Sequence, residues 1–135
     1  KADFKFHFPF RVRYSEVDGQ KVVFNAHYLT YFDTALTEYF RFIDFDYMGH
    51  VESSGNDLHT VKTLVEYKAP IEFDDEIEVY VNVSRLGRSS ITFYLEIHLK
   101  AEDNPLATGE VVWVYTEKKT HKSTALPEEL VKLLS

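Results

Sequence analysis

The stretch Arg13–Tyr28, RYSEVDGQKVVFNAHY, decides how the chain is read, because the hydrophobic period changes across it. On its upstream side Phe4, Phe6, Phe8 and Phe10 stand in alternate positions, and the register continues through Val12 and Tyr14. That predicts a strand over about 4–14, with Pro9 pointing to an edge position or a late start because it cannot donate to a ladder. Downstream, Tyr28, Leu29, Tyr31, Phe32, Ala35, Leu36, Tyr39, Phe40 and Ile43 recur at i, i+3, i+4, i+7 spacing. This is the pattern of a long amphipathic helix, expected over about 26–48 with Asn25 as its N-cap. The polar stretch GHVESSGND, 49–57, reads as a loop.

Beyond it the chain is mostly strand. A candidate strand runs over 59–70 and is closed by an Ala-Pro step. Ile77, Val79, Val81 and Val83 then alternate with polar partners, and Leu86-Gly87-Arg88-Ser89 reads as a turn. Ile91, Phe93, Leu95, Ile97 and Leu99 repeat the alternation, and AEDNP, 101–105, turns the chain again. The segment 106–116 is apolar on both faces around Val111 to Tyr115, as a well-covered central strand should be. Pro127 opens a short closing helix. One long helix against a curved antiparallel sheet is an α+β layer solution, and 135 residues make it a single domain, 1–135.

Composition narrows the function classes. A net charge of −7 with no basic stripe argues against a nucleic-acid partner. The absence of cysteine removes disulfides, thiolate metal sites and a Cys nucleophile. The six histidines show no metal-ligand spacing, so no metal and no cofactor are expected. No Gly-x-Ser-x-Gly elbow and no Gly-rich phosphate loop occur. No apolar run approaches a membrane span of ~20 residues, and a cytoplasmic protein is expected. Eleven Phe and nine Tyr exceed what a minimal core needs, which hints at an apolar pocket or a subunit interface.

Asp18 precedes Gly19, a common turn dipeptide, and can serve simply as a turn former. It also lies between a strand and the start of the long helix, where unpaired N–H groups and the positive end of the helix dipole gather. A carbonyl held at those groups would be polarised, and a carboxylate nearby could activate water or attack directly. Those are the parts of acyl transfer without Ser or Cys. Glu16, Asp33 and Glu38 are competing acids of the same region, read as surface or buried-network helix acids.

The ordered set Tyr14, Asp18-Gly19, Val22-Val23, Phe24, Asn25-Ala26-His27-Tyr28, Asp33, Ala35 and Thr37-Glu38-Tyr39 resembles the hotdog-fold acyl-CoA thioesterases of the 4-hydroxybenzoyl-CoA thioesterase type. The likeness continues through 65–70, 73–77 and 86–90. It implies a hotdog fold, a long central helix wrapped by a five- or six-stranded antiparallel sheet, and a homodimer or homotetramer. It further implies hydrolysis of an acyl-CoA thioester, with Asp18 as general base or nucleophile and the N–H of Asn25 on the thioester oxygen, Ala26 next in line. Phe24, His27, Tyr28, Tyr31 and Phe32 become candidates for the acyl trough. Arg88, Ser89 and Ser90 become candidates for the CoA side, reaching a ligand shared with a neighbouring subunit. Lys21 stands where the family commonly has Gly. Two alternatives remain open: an enoyl-CoA hydratase on the same fold, and an acyl-CoA-binding protein without turnover.

Overall fold

The computed structural model describes residues 4–135. In chain order its elements are β1 (Phe6–Arg11), a short 3-10 turn (Tyr14–Glu16), α1 (Asn25–Phe42), α2 (Tyr47–Ser54), β2 (Asn56–Tyr67), β3 (Glu76–Leu86), β4 (Ser90–Leu99), β5 (Ala107–Glu117) and α3 (Glu128–Leu134). The five strands form one antiparallel sheet in the order β1-β3-β4-β5-β2. Pro9 sits on the edge strand β1, where its missing N–H costs no ladder bond. The twelve-residue β2 is the opposite edge.

α1 lies on one face of this sheet. Its buried stripe, Tyr28, Tyr31, Phe32, Ala35, Leu36, Tyr39 and Phe40, follows the predicted spacing. It meets Ile91, Phe93, Leu95 and Ile97, the inward half of β4's alternation. Each such large side chain, fully buried, contributes about 1.5–3 kcal/mol. The helix comes close at Phe32 because Gly109 of β5 has no side chain. A Cβ there would stand 2.3 Å from the Phe32 ring.

The predicted helix over 26–48 is not continuous. α1 ends at Phe42, and Asp44 takes a left-handed φ of 64°. Phe45 is buried and its N–H bonds the Phe40 carbonyl at 3.0 Å. Carried on as helix, Phe45 would point about 140° away from Phe40 at 3.6 residues per turn. Burying both rings therefore requires the break. α2 then occupies most of the segment expected to be loop, capped by Asp46 accepting from the Gly49 N–H and ended by Gly55 at φ 73°. It buries no residue, so it leaves no apolar period to read. β2 accordingly begins at Asn56 and ends at Tyr67, earlier at both ends than expected.

Candidate active site

Between the 3-10 turn and α1 the chain makes a small hairpin. Val17 bridges Val23, the Asp18 N–H bonds the Val22 carbonyl at 2.9 Å, and the Lys21 N–H bonds the Asp18 carbonyl at 2.9 Å. This is a tight turn followed by one left-handed residue, a common three-residue hairpin loop. The left-handed residue is Lys21, at φ 64°, and Gly19 is not left-handed. The loop is fixed to the body by Val23 N–H on the Ile71 carbonyl (2.7 Å) and Phe73 N–H on the Lys21 carbonyl (3.1 Å).

Asp18 itself is exposed at the hairpin tip. One carboxylate oxygen accepts the Gln20 N–H at 2.8 Å, the turn former's bond. The other has no hydrogen-bond partner among the described residues. The turn role is thus present and uses half of the group.

Asn25 is not the N-cap. Phe24 occupies that position in extended conformation, without a side-chain cap, and Asn25 is the first helical residue. The reason lies in the hairpin: Phe24 must stay extended to donate its N–H to the Glu16 carbonyl at 3.0 Å, which closes the hairpin's base. The His27 N–H is taken by the Phe24 carbonyl at 3.0 Å, while the N–H groups of Asn25 and Ala26 have no acceptor outside the helix among the described residues. These open donors and the dipole of an eighteen-residue helix form a positive, anion-accepting corner beside the Asp18 hairpin.

The other predicted residues divide into three groups. Phe24, Asn25 and Ala26 are exposed at the helix start, with Phe24 at 55% and His27 half-buried beside it. Tyr28, Tyr31 and Phe32 are buried against the sheet, Tyr28 edge-on to Tyr67 at 4.8 Å, and so form core rather than an open trough within one chain. Arg88, Ser89 and Ser90 sit on the β3–β4 turn, ten residues along β3 from the Glu76 end that pairs with Arg11. At roughly 3.3 Å per residue that is about 33 Å. One chain does not bring them to Asp18.

A cleft of about 690 Å³ opens at the other end of α1, walled by Phe40, Trp113, Leu58 and Met48 with Asp33 and Thr37 on the rim. Phe40 lies fifteen residues beyond Asn25, about 22 Å at helical rise.

Sequence reasoning read Glu16 as a surface or buried-network acid, and the structure places it in a buried network. It is 5% exposed, and its carboxylate is filled: Arg13 donates its backbone N–H (2.8 Å), Nε (3.0 Å) and Nη2 (2.8 Å), and the Tyr31 hydroxyl donates at 2.9 Å. Burial opposes its ionisation, but these hydrogen bonds and the guanidinium charge outweigh burial and hold the carboxyl below its ordinary range. The same burial and the Glu16 contact push the Tyr31 hydroxyl up. The signal available was the Arg13–Glu16 spacing of a reciprocal cap ahead of a helix.

A long helix on a five-stranded antiparallel sheet defines a hotdog-fold protein, here with an acid-bearing hairpin at the helix start. Residues 12–134 match the model of the thioesterase-like superfamily, and the chain belongs to that family. An acyl-CoA thioester hydrolase, YbgC, of Escherichia coli is 30% identical over 126 residues, 93% of this chain and 92% of that protein. The acyl-CoA thioesterase YbgC of Haemophilus influenzae is 33% identical over 126 residues, covering 93% and 90%. Among solved structures, a hypothetical protein of Aquifex aeolicus superposes with a TM-score of 0.86 at 27% identity, covering 96% of this chain and 99% of that one. A 1,4-dihydroxy-2-naphthoyl-CoA thioesterase of Synechocystis superposes at 0.89 with 17% identity, covering 96% and 94%, which shows the fold alone.

Proposed function

We propose that the protein hydrolyses an acyl-CoA thioester at the junction of the Asp18 hairpin and the start of α1. The observation that carries this is an exposed carboxylate with one oxygen unengaged, locked by the Phe24–Glu16 bond to a helix start whose Asn25 and Ala26 N–H groups are open. The thioester oxygen lies at those N–H groups, which stabilise the charge it gains as the carbonyl carbon becomes tetrahedral. Asp18 takes a proton from the attacking water, or attacks the carbonyl first and is released by water. Either way the C–S bond breaks, the free acid forms and CoA leaves as the thiol.

A homodimer suits this reading. β2 is a long edge strand with Val61, Leu64 and Tyr67 exposed, and Phe24 and Leu29 are exposed at the start of α1. Such an edge invites pairing. Antiparallel pairing of β2 with a second copy sets the Leu58 end of one strand beside the Tyr67 end of the other. The cleft at Phe40 and Trp113 then adjoins the second copy's helix start, available to the acyl tail. The distance to Arg88 likewise requires any contact with the CoA side to come from a second copy. No helix among the described residues is long and apolar enough to cross a membrane, and a cytoplasmic location accords with that and with the lack of cysteine.

The test is thiol release from short-, medium-, long-chain and aromatic acyl-CoAs by wild type and Asp18→Asn. With no cysteine in the chain, a thiol reagent reports only freed CoA. The expected result is hydrolysis by wild type that falls about 10²–10⁴-fold in Asp18→Asn, the range for loss of a general base. No release from any substrate by wild type defeats the proposal, and loss of crotonyl-CoA absorbance without thiol would mark a hydratase.

A further inference from the structure

We infer that Glu16 is a positioning residue for the hydrolysis: its carboxylate fixes where the Asp18 hairpin stands relative to the α1 N-terminus. The inference rests on the reading of Asp18 as the catalytic carboxylate. Glu16 is the one residue that ties the hairpin down by both backbone and side chain. Its carbonyl accepts the Phe24 N–H and closes the hairpin's base, so that Val17 to Val23 leave and return at a single point. Its side chain reaches past that point to Tyr31, six residues into α1, about 9 Å along the helix. These two anchors, separated along the axis, set the hairpin against α1, while the Val23–Ile71 and Phe73–Lys21 backbone bonds hold its other side to the body. Arg13 completes the strut from the strand side by three donors.

Glu16 is not itself a base for substrate. It is buried, both its oxygens already accept protein donors, and a reacting proton has no approach. Asp18, two residues on, has the opposite properties: exposed, with one oxygen unengaged. The chain therefore spends one acid on geometry and leaves the other for chemistry. A reacting group displaced by even about 1 Å can cost on the order of 10²-fold in rate. A strut that sets its position should be read in kcat.

Glu16→Gln keeps the shape and the Tyr31 contact but removes the charge that holds Arg13. Measured with a turned-over acyl-CoA at a temperature where the variant is folded, kcat is expected to fall about 10–100-fold with KM changed less than about twofold. Tyr31→Phe removes one anchor and should give a smaller fall in the same direction. The double variant should lose less than the product of the two, because both act through one contact. A wild-type kcat in folded Glu16→Gln overturns the proposal, as does a fall expressed wholly in KM. If Glu16→Gln does not fold, an unchanged kcat in Tyr31→Phe overturns it instead. Asp18→Asn, assayed alongside, separates the two levels. An inactive Asp18→Asn beside a fully active Glu16→Gln defeats the positioning role alone, and an active Asp18→Asn defeats the reading of Asp18 and this inference with it.

Discussion

The hairpin that carries Asp18 has its glycine at the wrong place, and exchanging positions 19 and 21 should stabilise the protein. Lys21 holds φ at 64°. An L-residue in the left-handed region costs roughly 1–2 kcal/mol, which glycine does not incur. Glycine there also loosens the unfolded chain, which costs about 0.5–1 kcal/mol. Lys21→Gly should therefore net a gain of about 0.7 kcal/mol at the middle of those ranges, whose difference spans about 0–1.5 kcal/mol. Gly19 has no such need: its φ is not left-handed, and a Cβ there meets nothing within 4 Å. Gly19→Ala should add about 0.4–1 kcal/mol through the unfolded state. The two residues are close, but one effect is native strain and the other unfolded-state freedom, so the double variant should gain about 1–2 kcal/mol. In urea unfolding at fixed protein concentration this appears as a raised midpoint with an unchanged slope. In thermal unfolding it amounts to a rise of roughly 3–8 °C for a chain of this length. Lys21→Ala is the control, since it removes the charge but keeps a side chain at φ 64°, and it should lie within about 0.5 kcal/mol of wild type. If Lys21→Ala gains as much as Lys21→Gly, charge rather than backbone strain is the cause. If neither gains, the strain reasoning is refuted.

Two further effects follow from the packing and from the buried acid. Gly109→Ala would put a Cβ 2.3 Å from the Phe32 ring and 3.3 Å from the Leu64 carbonyl, and Phe32 is itself buried in the core. Overpacking of about 1–3 kcal/mol is expected, a fall of roughly 3–10 °C in Tm, partly recovered by adding Phe32→Leu; an unchanged Tm would refute the close approach. Glu16 has a folded-state pKa below its ordinary 4.5, so it contributes stability that is complete well above 4.5 and is lost as pH falls through the folded value. Glu16→Gln should therefore cost about 1–3 kcal/mol at pH 7, and the gap between the two proteins should narrow below about pH 4.5. A gap that is constant or widens in acid would reverse the assigned direction.

Much of the architecture was legible because burial imposes periodicity. The alternation of Ile91 to Leu99 and the stripe from Tyr28 to Phe40 appear in the structure as read. What failed to register is what leaves no period. α2 buries nothing, and its polar sequence gave a loop. The end of α1 was overrun because Phe45 continues an apolar sequence while its burial depends on a left-handed Asp44. At the candidate site, the turn at Asp18 and the helix that follows it were legible as local structure, yet the cap was assigned to Asn25 because Asn favours that position. The demand that displaced it, Phe24 N–H to the Glu16 carbonyl, is a contact across eight residues. Glu16 was legible only as a surface or buried-network acid, because its partner Tyr31 is fifteen residues away. The burial of Tyr31 and Phe32 was predicted as a property of the helix face, but whether a buried ring faces core or ligand is decided by the sheet and by Gly109.

The cap position bears on the chemistry as well as the fold. Ser, Thr, Asp or Asn at an N-cap stabilises a helix by about 0.5–2 kcal/mol relative to Ala, because its oxygen accepts an otherwise open N–H. α1 is the central helix of the molecule, and it begins on Phe24 with no side-chain cap. A capping oxygen would occupy the donors at the helix start and, from Asp, add a negative charge where a thioester oxygen must acquire one. On the proposed reaction the two uses of those N–H groups exclude each other. The residue that serves the site is one whose side chain cannot accept a hydrogen bond. The helix is held instead by the buried stripe below it and by the Glu16–Tyr31 contact, which act on the far side of the first turn. Stability is thus supplied where substrate does not come, and the first turn of α1 is left open for it.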